Sequence, residues 1–188
     1  HFTLFADGMR ALPARQKTLH NAIGWSYDLL SAEEKKLFAY LSVFSGGFTL
    51  AAAETIFSRT VSGKSVTDLI ASLLDKSLLQ RVPGREAPGE PRYAMLVTIQ
   101  QFALDRLRRL KKEAETRDWH LEYFLDLAVK GNQEIRGPAQ VEWVNHIESE
   151  HDNFRFALEW SVSNRKTASA LHLLCALGWP WEIRGHYS

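Results

Sequence analysis

The stretch that decides the fold is residues 77–96, which read SLLQRVPGREAPGEPRYAML. Residues 77–82 and 92–96 each favour a short strand, and the proline- and glycine-rich segment between them is typical of a loop. The simplest structure that fits this pattern is a β-hairpin with a long, irregular tip. Helical patterns lie on both sides of it.

Four short helices are predicted upstream of this hairpin. Apolar residues recur at helical spacing, first over residues 12–30 and last over residues 65–78. The predicted starts and stops are, in chain order, the capping box Ser31-Ala32-Glu33-Glu34, the stop Gly46-Gly47, the cap Thr49, and the cap Ser65 with Asp68 three residues later.

Downstream of the hairpin the pattern predicts helices only. They cover about residues 98–110, 114–129, the surroundings of Trp143 and of Phe154, and 168–183, with a polar break at 131–137 and Pro138 in the first turn after it. Helices, a hairpin and a further helix follow each other in the order of a winged helix, and antiparallel helix pairs of this length are the units of repeat arrays. The predicted fold is therefore mainly α, a winged helix followed by antiparallel helical repeats.

Composition and charge argue against several classes of function. The chain has 23 Lys and Arg against 22 Asp and Glu, so no overall positive field draws it to DNA or to an anionic membrane. No segment has the roughly 18 uninterrupted apolar residues of a membrane helix, and the N-terminus lacks a signal-peptide pattern. The single cysteine, Cys175, rules out an internal disulfide, so a cytoplasmic location is expected. Both ends of the chain resemble cuts in something longer.

No catalytic, cofactor-binding or metal-binding residue is predicted. Gly63-Lys64-Ser65 resembles the end of a P-loop, but Ser58 stands where the first glycine of that motif belongs. His146 and His151 are five residues apart, a spacing that turns two rings away from each other on a helix. Cys175 lies in an apolar helical run and is predicted to belong to the core.

A winged helix raises the question of DNA binding directly. The predicted recognition helix, residues 65–78, has no Arg, Asn or Gln on its polar face, which consists of Thr67, Asp68, Ala71, Ser72, Asp75 and Lys76. Its two acids would repel phosphate, so reading of a DNA groove is not favoured. The remaining candidates for contact with DNA or with a neighbouring domain are Arg81, Arg85 and Arg92 on the hairpin, and Arg106, Arg108, Arg109, Lys111 and Lys112 after it.

The last predicted helix carries a second kind of candidate surface. Trp179, Trp181 and Ile183 are large apolar residues close together near its end. They fit the core of a repeat array, or an interface with a following helix or with a second copy of the chain. Self-association through this helix is expected.

Six motifs resemble those of STAND-type ATPase regulators, which are multidomain bacterial proteins related to NB-ARC proteins and often called LuxR-family or AfsR-like transcriptional regulators. The motifs occur in that family's order and cover almost the whole chain. They are LPARQKTL (12–19), WSYDLL (25–30), FAYLSVFSGGFTL (38–50), LDKSLL (74–79), YAMLVTIQQFA (93–103) and EHDNFRFALEW (150–160).

The resemblance implies a layout in which residues 1–17 are a linker from an absent ATPase domain. Residues 18–112 are then the winged helix, and residues 113–188 the start of a tetratricopeptide-like array. In NB-ARC proteins a Met-His-Asp motif contacts the nucleotide. Met95, Leu96 and Val97 stand at the matching positions here, so that contact is not carried over, and ATP or ADP is expected only in the parent protein.

The function that the resemblance implies is non-catalytic: the winged helix would couple the nucleotide state of the ATPase domain to the repeats. The alternative is a winged helix that binds DNA and acts directly in transcription. Expected partners are the neighbouring ATPase and repeat domains and a second copy of the chain. Contact with DNA or with a membrane is not expected.

Overall fold

A computed structural model describes residues 14–59, 65–82 and 90–184, with side chains over 20–59, 65–82 and 90–178. The helices in these ranges are α1 (Ala14–Asp28), α2 (Ala32–Tyr40), α3 (Leu50–Phe57), α4 (Val66–Asp75), α5 (Val97–Arg109), α6 (Glu113–Glu134), α7 (Gln140–Ser149), α8 (His151–Ser163) and α9 (Thr167–Arg184). The strands are β1 (Phe48–Thr49), β2 (Gln80–Arg81) and β3 (Arg92–Ala94), and Leu41–Val43 form a 3-10 helix. The prediction of a mainly helical chain with a small antiparallel sheet is confirmed.

The capping box at the start of α2 is confirmed. The Ser31 hydroxyl accepts a hydrogen bond from the backbone N–H of Glu34 at 3.3 Å, and the Glu34 carboxylate accepts one from the backbone N–H of Ser31 at 2.6 Å. α2 ends at Tyr40 and passes into the 3-10 helix, so the prediction that Gly46-Gly47 ends it is wrong. These glycines instead form a turn with φ of 74° and 95°, a conformation that L side chains rarely adopt.

The three strands form an antiparallel sheet in the order β1-β3-β2. β2 and β3 lie within the predicted strands but are shorter. β1 was not predicted, because two residues are too few to show an alternating pattern. The chain order α2, β1, α3, α4, β2, β3 is that of a winged helix. The predicted tip of the hairpin lies outside the described residues.

α6 is longer than its sequence pattern predicts. It continues to Glu134, so the polar break predicted from Gly131 onward begins inside a helix. Gly131 is buried there because α7 approaches closely: a Cβ at this position would lie 2.6 Å from Cδ1 of Ile147. Pro138 lies in the turn before α7, which begins at Gln140, and not in its first turn.

One continuous hydrophobic core runs from Ile23 in α1 to Leu177 in α9. α6 is its central element, because it packs against α3 of the winged helix and also against α8 and α9. Phe124 of α6 meets Phe44 and Phe154 edge to face, with ring centroids 6.3 Å and 5.4 Å apart. The winged helix and the helices after it therefore share one core. Within the described ranges, every helix is too short or too polar to cross a membrane.

Candidate functional site

α4 occupies the position of the recognition helix of a winged helix, between α3 and the β2–β3 hairpin. The residues that hold it against α2 and α3 are Leu69, Ile70 and Leu73. Ser65 stands at its N-cap position, but the side chain makes no capping hydrogen bond, contrary to the prediction. Thr49 does cap α3 as predicted, since its hydroxyl accepts a hydrogen bond from the N–H of Ala52 at 3.2 Å.

The outer face of α4 is acidic. Its exposed residues are Thr67, Asp68, Ala71 and Asp75. None of these side chains can make the paired hydrogen bonds by which Arg, Asn or Gln recognise a base edge, and the two carboxylates repel phosphate. The exposed face of α4 thus offers only single hydrogen bonds from Thr67, Asp68 and Asp75 to a base edge.

Glu34 joins α2 to the other polar residues of α4. One of its oxygens accepts hydrogen bonds from the hydroxyl of Ser72 and from Nζ of Lys76, the latter at 2.9 Å. Burial alone would raise the pKa of Glu34, but the hydrogen bonds from Ser72, Ser31 and Lys76 outweigh it and lower the pKa to about 2. Lys76 is thus engaged within the fold.

Acidic neighbours neutralise part of the basic run at the end of α5. Arg108 pairs with Glu113 at 2.9 Å, and Lys112 pairs with Glu115 at 2.5 Å. Exposed ion pairs of this kind are weak, so they do not prevent contact of these cations with a phosphate. Two of the predicted contact residues therefore carry an acidic partner but stay accessible.

Three other predicted contact residues, Arg81, Arg109 and Lys111, are exposed and form no ion pair with any described residue. Arg106 differs, because its guanidinium lies over the rings of Tyr27 and Phe102, 5.0 Å and 4.4 Å from their centroids. This cation–π contact links α1 to α5. Among the predicted contact residues that the structure describes, Arg81, Arg109 and Lys111 are thus the exposed cations without an acidic partner in the described ranges.

Arg92 is buried, with 2% of its surface exposed. Its guanidinium donates two parallel hydrogen bonds to Glu150, at 2.5 Å and 2.9 Å. It also donates to the backbone carbonyls of Gly46 and Gly47, at 3.2 Å and 3.0 Å. Arg92 is therefore not available to a DNA phosphate. It forms an internal contact between β3, the turn before β1 and the junction of α7 with α8.

Asn153 and His120 complete this arrangement. Nδ2 of Asn153 donates to Glu150 at 2.6 Å and to the carbonyl of Gly47 at 2.9 Å, while Oδ1 accepts from the backbone N–H of Ser45 at 2.7 Å. Nε2 of His120 lies 3.3 Å from the same Oδ1, which can only accept, so Nε2 carries the proton. Arg92, Glu150, Asn153 and His120 together form a buried polar cluster.

His120 is neutral in this fold. Burial lowers its pKa to about 3; the hydrogen bond with Asn153 opposes this shift, and the charge of Arg117 adds to it. The rings of Phe124 and Phe44 lie 4.5 Å and 5.3 Å from the imidazole, centroid to centroid. A proton on this ring would have to be accommodated inside an aromatic core.

Met95, Leu96 and Val97 lie at the start of α5. Met95 is half-buried against the core, whereas Leu96 and Val97 are 53% and 69% exposed. Two large apolar side chains that are adjacent in sequence are thus exposed at the start of α5.

The predicted place of Cys175 in the core is wrong. Its side chain is exposed on α9, because the buried face of that helix consists of Ala170, Leu173, Ala176 and Leu177. Gly63, Lys64 and Arg85 lie outside the described residues. The same holds for the side chains of Trp179, Trp181 and Ile183, whose backbone belongs to α9.

No group of three or more His, Cys, Asp or Glu in the described part of the chain could hold a metal ion. His146 stacks on Trp143 with ring centroids 5.3 Å apart, and burial lowers the pKa of this histidine. His151 is the first residue of α8.

The buried polar cluster is the feature that sequence reasoning missed. Arg92 and Glu150 are 58 positions apart, and no local pattern connects residues so distant. The available signal was that Glu150 and Asn153 stand in one of the six motifs and Gly46-Gly47 in another. Only the fold shows that these motifs meet.

The arrangement of elements and a family comparison define the class. Residues 30–108 match the family model described as "Winged helix-turn-helix domain". The chain therefore contains a winged helix-turn-helix domain, which α6, α7, α8 and α9 follow.

Among curated proteins, the chain is similar to proteins of Mycobacterium tuberculosis and Mycobacterium bovis that carry the provisional name HTH-type transcriptional regulator. Each is 36% identical over 186 residues, which is 98% of this chain and 20% of the relative. An uncharacterised protein of Mycobacterium tuberculosis is 32% identical over 108 residues, 56% of this chain and 27% of that protein. The chain thus spans about a fifth of the length of the first relatives. No solved structure matches the chain significantly.

Proposed function

We propose that this chain is a non-catalytic regulatory segment of a bacterial transcriptional regulator, and that its winged helix couples a neighbouring nucleotide-binding domain to the helices that follow it. The observation that carries the proposal is the buried polar cluster, which ties β3 of the winged helix to the junction of α7 and α8. The name of the relatives supports a role in transcription, and their greater length leaves room for further domains.

The surface of the winged helix also supports a protein partner. α4 presents Asp68 and Asp75 where a DNA-reading helix would present hydrogen-bonding or basic side chains. Leu96 and Val97 offer apolar contact area at the start of α5. Both features suit contact with a neighbouring domain better than contact with a phosphate backbone.

Direct DNA binding is the second candidate, and the comparisons favour it over the first. The matched family model describes a winged helix-turn-helix domain, and the relatives are named as HTH-type regulators. Arg81, Arg109 and Lys111 are exposed cations that could contact phosphates. The surface of α4 thus favours the first candidate, whereas the names of the relatives favour direct DNA binding.

Selection from a pool of random DNA duplexes at physiological salt separates the two candidates. Coupling without DNA reading predicts no enriched site, and at most weak association that declines steeply with salt. A defined site, with binding that a Lys111→Ala, Arg109→Ala variant weakens and a control Arg155→Ala variant on α8 does not, would establish the second function. Calorimetric titration of the chain with ATP and ADP should show no binding in the micromolar range.

A positive test of coupling uses a protein in which this chain follows a nucleotide-binding domain. Exchange of ATP for ADP should change amide hydrogen exchange at the start of α5 and at the junction of α7 and α8 together. Unchanged exchange at both places, in a protein that does bind the nucleotide, would contradict the first proposal.

A further inference from the structure

Three separate segments of the chain meet at the buried polar cluster. The turn of Gly46-Gly47 supplies two carbonyl oxygens, β3 supplies the Arg92 guanidinium, and the junction of α7 with α8 supplies Glu150 and, one turn later, Asn153. The turn is shaped for this contact, since a Cβ on Gly46 would lie 2.7 Å from Oδ2 of Asp152 in α8. The backbone of this turn therefore packs directly against α8, with no space for a side chain at Gly46.

The hydrogen bonds of the buried polar cluster restrict movement of the winged helix relative to the α7–α8 pair. Glu150 receives both arms of Arg92 and the amide of Asn153, and that amide also binds the carbonyl of Gly47. Burial removes water as an alternative partner, so a relative shift would leave charged groups unpaired. An apolar contact could slide at lower cost, because dispersion has no preferred direction.

We propose that the buried polar cluster is a rigid coupling joint between the winged helix and the α7–α8 pair. A displacement of the β2–β3 hairpin is transmitted through Arg92 to Glu150 and Asn153, and so to the orientation of α7 and α8. The regulatory role of this joint extends the first proposed function and rests on it. The physical coupling is a property of this chain alone, so it can be tested whether or not a nucleotide-binding domain acts on it.

The experiment measures the distance between the two parts in solution. In a Cys175→Ser background, spin labels at Thr67→Cys on α4 and Gln140→Cys on α7 report the placement of α7 relative to the winged helix; both sites are exposed. The variant is Glu150→Gln, which keeps the shape but removes the charge. The control is Glu159→Gln, which breaks the exposed Arg155–Glu159 pair within α8.

A rigid joint predicts one narrow distance distribution in the parent and in the control, and a broadened or two-peaked one in Glu150→Gln. The folding equilibrium constant of Glu150→Gln should also fall by on the order of 10²- to 10³-fold, because the variant leaves Arg92 buried and unpaired. If Glu150→Gln does not fold, Arg92→Lys decides, since it keeps the charge and loses the fork that binds both carboxylate oxygens. A folded variant whose distribution stays as narrow as that of the control overturns the proposal, and apolar packing alone then holds the two parts together.

Discussion

At the scale of single residues, Glu34 shows how one carboxylate serves two helices. It closes the capping box of α2 and accepts hydrogen bonds from Ser72 and Lys76 at the end of α4. The winged helix therefore depends on a charge that lies almost completely out of water.

Glu34→Gln should lower the free energy of unfolding at pH 7 by about 1 to 3 kcal/mol, because it replaces charge-assisted hydrogen bonds with neutral ones. Urea unfolding measures this difference. Glu54→Gln, on the exposed face of α3, is the control and should change stability by less than about 0.5 kcal/mol. Equal effects of the two substitutions would contradict the role given to Glu34.

The carboxylate of Glu34 should also make the stability of the chain depend on pH in the acid range. Because the folded pKa lies near 2, below the ordinary value of 4.5, the stabilisation is complete above pH 4.5 and is lost as pH falls towards 2. The difference between the parent chain and Glu34→Gln should therefore shrink over this range. A constant difference would show that the charge of Glu34 is not the stabilising feature.

Because of His120, the chain should also lose stability in mild acid. Its folded pKa of about 3 lies below the ordinary 6.5, so the unfolded chain binds the proton more readily and stability falls as pH drops from 6.5. From pH 7 to pH 5 this one group should lower the free energy of unfolding by about 2 kcal/mol. His120→Leu should remove that part of the pH dependence, whereas His172→Leu, at an exposed site on α9, should leave it intact.

At the scale of secondary-structure elements, sequence patterns correctly predicted those features that depend on interactions between residues close together in the chain. The start of α2 and the cap of α3 depend on hydrogen bonds between neighbours in sequence, and both were predicted correctly. Gly131 was misread because a helical glycine indicates either a stop or a close approach, and only α7 shows which. The hydrogen bonds of Arg92 were unpredictable for the same reason, since their acceptors come from distant segments.

Gly24 and Gly47 should respond in opposite ways to substitution by alanine. Gly24→Ala in α1 should raise the free energy of unfolding by about 0.5 to 1 kcal/mol, because no atom beyond the adjoining backbone of α1 and the two neighbouring residues lies within 4 Å of the new Cβ, and alanine favours helix. Gly47→Ala should destabilise the chain by more than about 1 kcal/mol, since φ is 95° and the Cβ would lie 2.6 Å from the carbonyl oxygen of Tyr93. Thermal unfolding of the two variants should shift in opposite directions; shifts in the same direction would contradict the described turn.

At the scale of the whole molecule, the boundary predicted between residues 112 and 113 stays a prediction, and the shared core makes it testable. Removal of everything after residue 112 would expose the apolar surface of α3 and Phe44 that α6 covers. We expect this fragment to lose its near-ultraviolet circular dichroism and its cooperative thermal transition. A fragment that unfolds cooperatively would instead show an independent winged-helix domain.

Self-association through α9 also stays a prediction. The helix exposes Leu171 and Leu174, at 55% and 45%, on the face that carries Cys175. Burial of such apolar surface is favourable by about 25 cal/mol per Å², so sedimentation should show association that depends on concentration, even in the presence of a reducing agent. Leu171→Ser with Leu174→Ser should weaken this association, which is predicted to include Trp179, Trp181 and Ile183, and Val141→Ser with Val162→Ser, exposed on α7 and α8, should not. A monomeric parent chain at all concentrations would contradict this expectation.

The pairing of β1 with β3 has a consequence for the rate at which this chain folds and unfolds. The two strands are separated in sequence by α3, α4 and β2, and Arg92 must also find Glu150 a further 58 positions along the chain. Closing such long loops early would be entropically costly, so we expect these contacts to form after the transition state for folding. Substitutions at Arg92 or Gly47 should then leave the refolding rate nearly unchanged and accelerate unfolding, which makes this junction the feature that sets the lifetime of the native state.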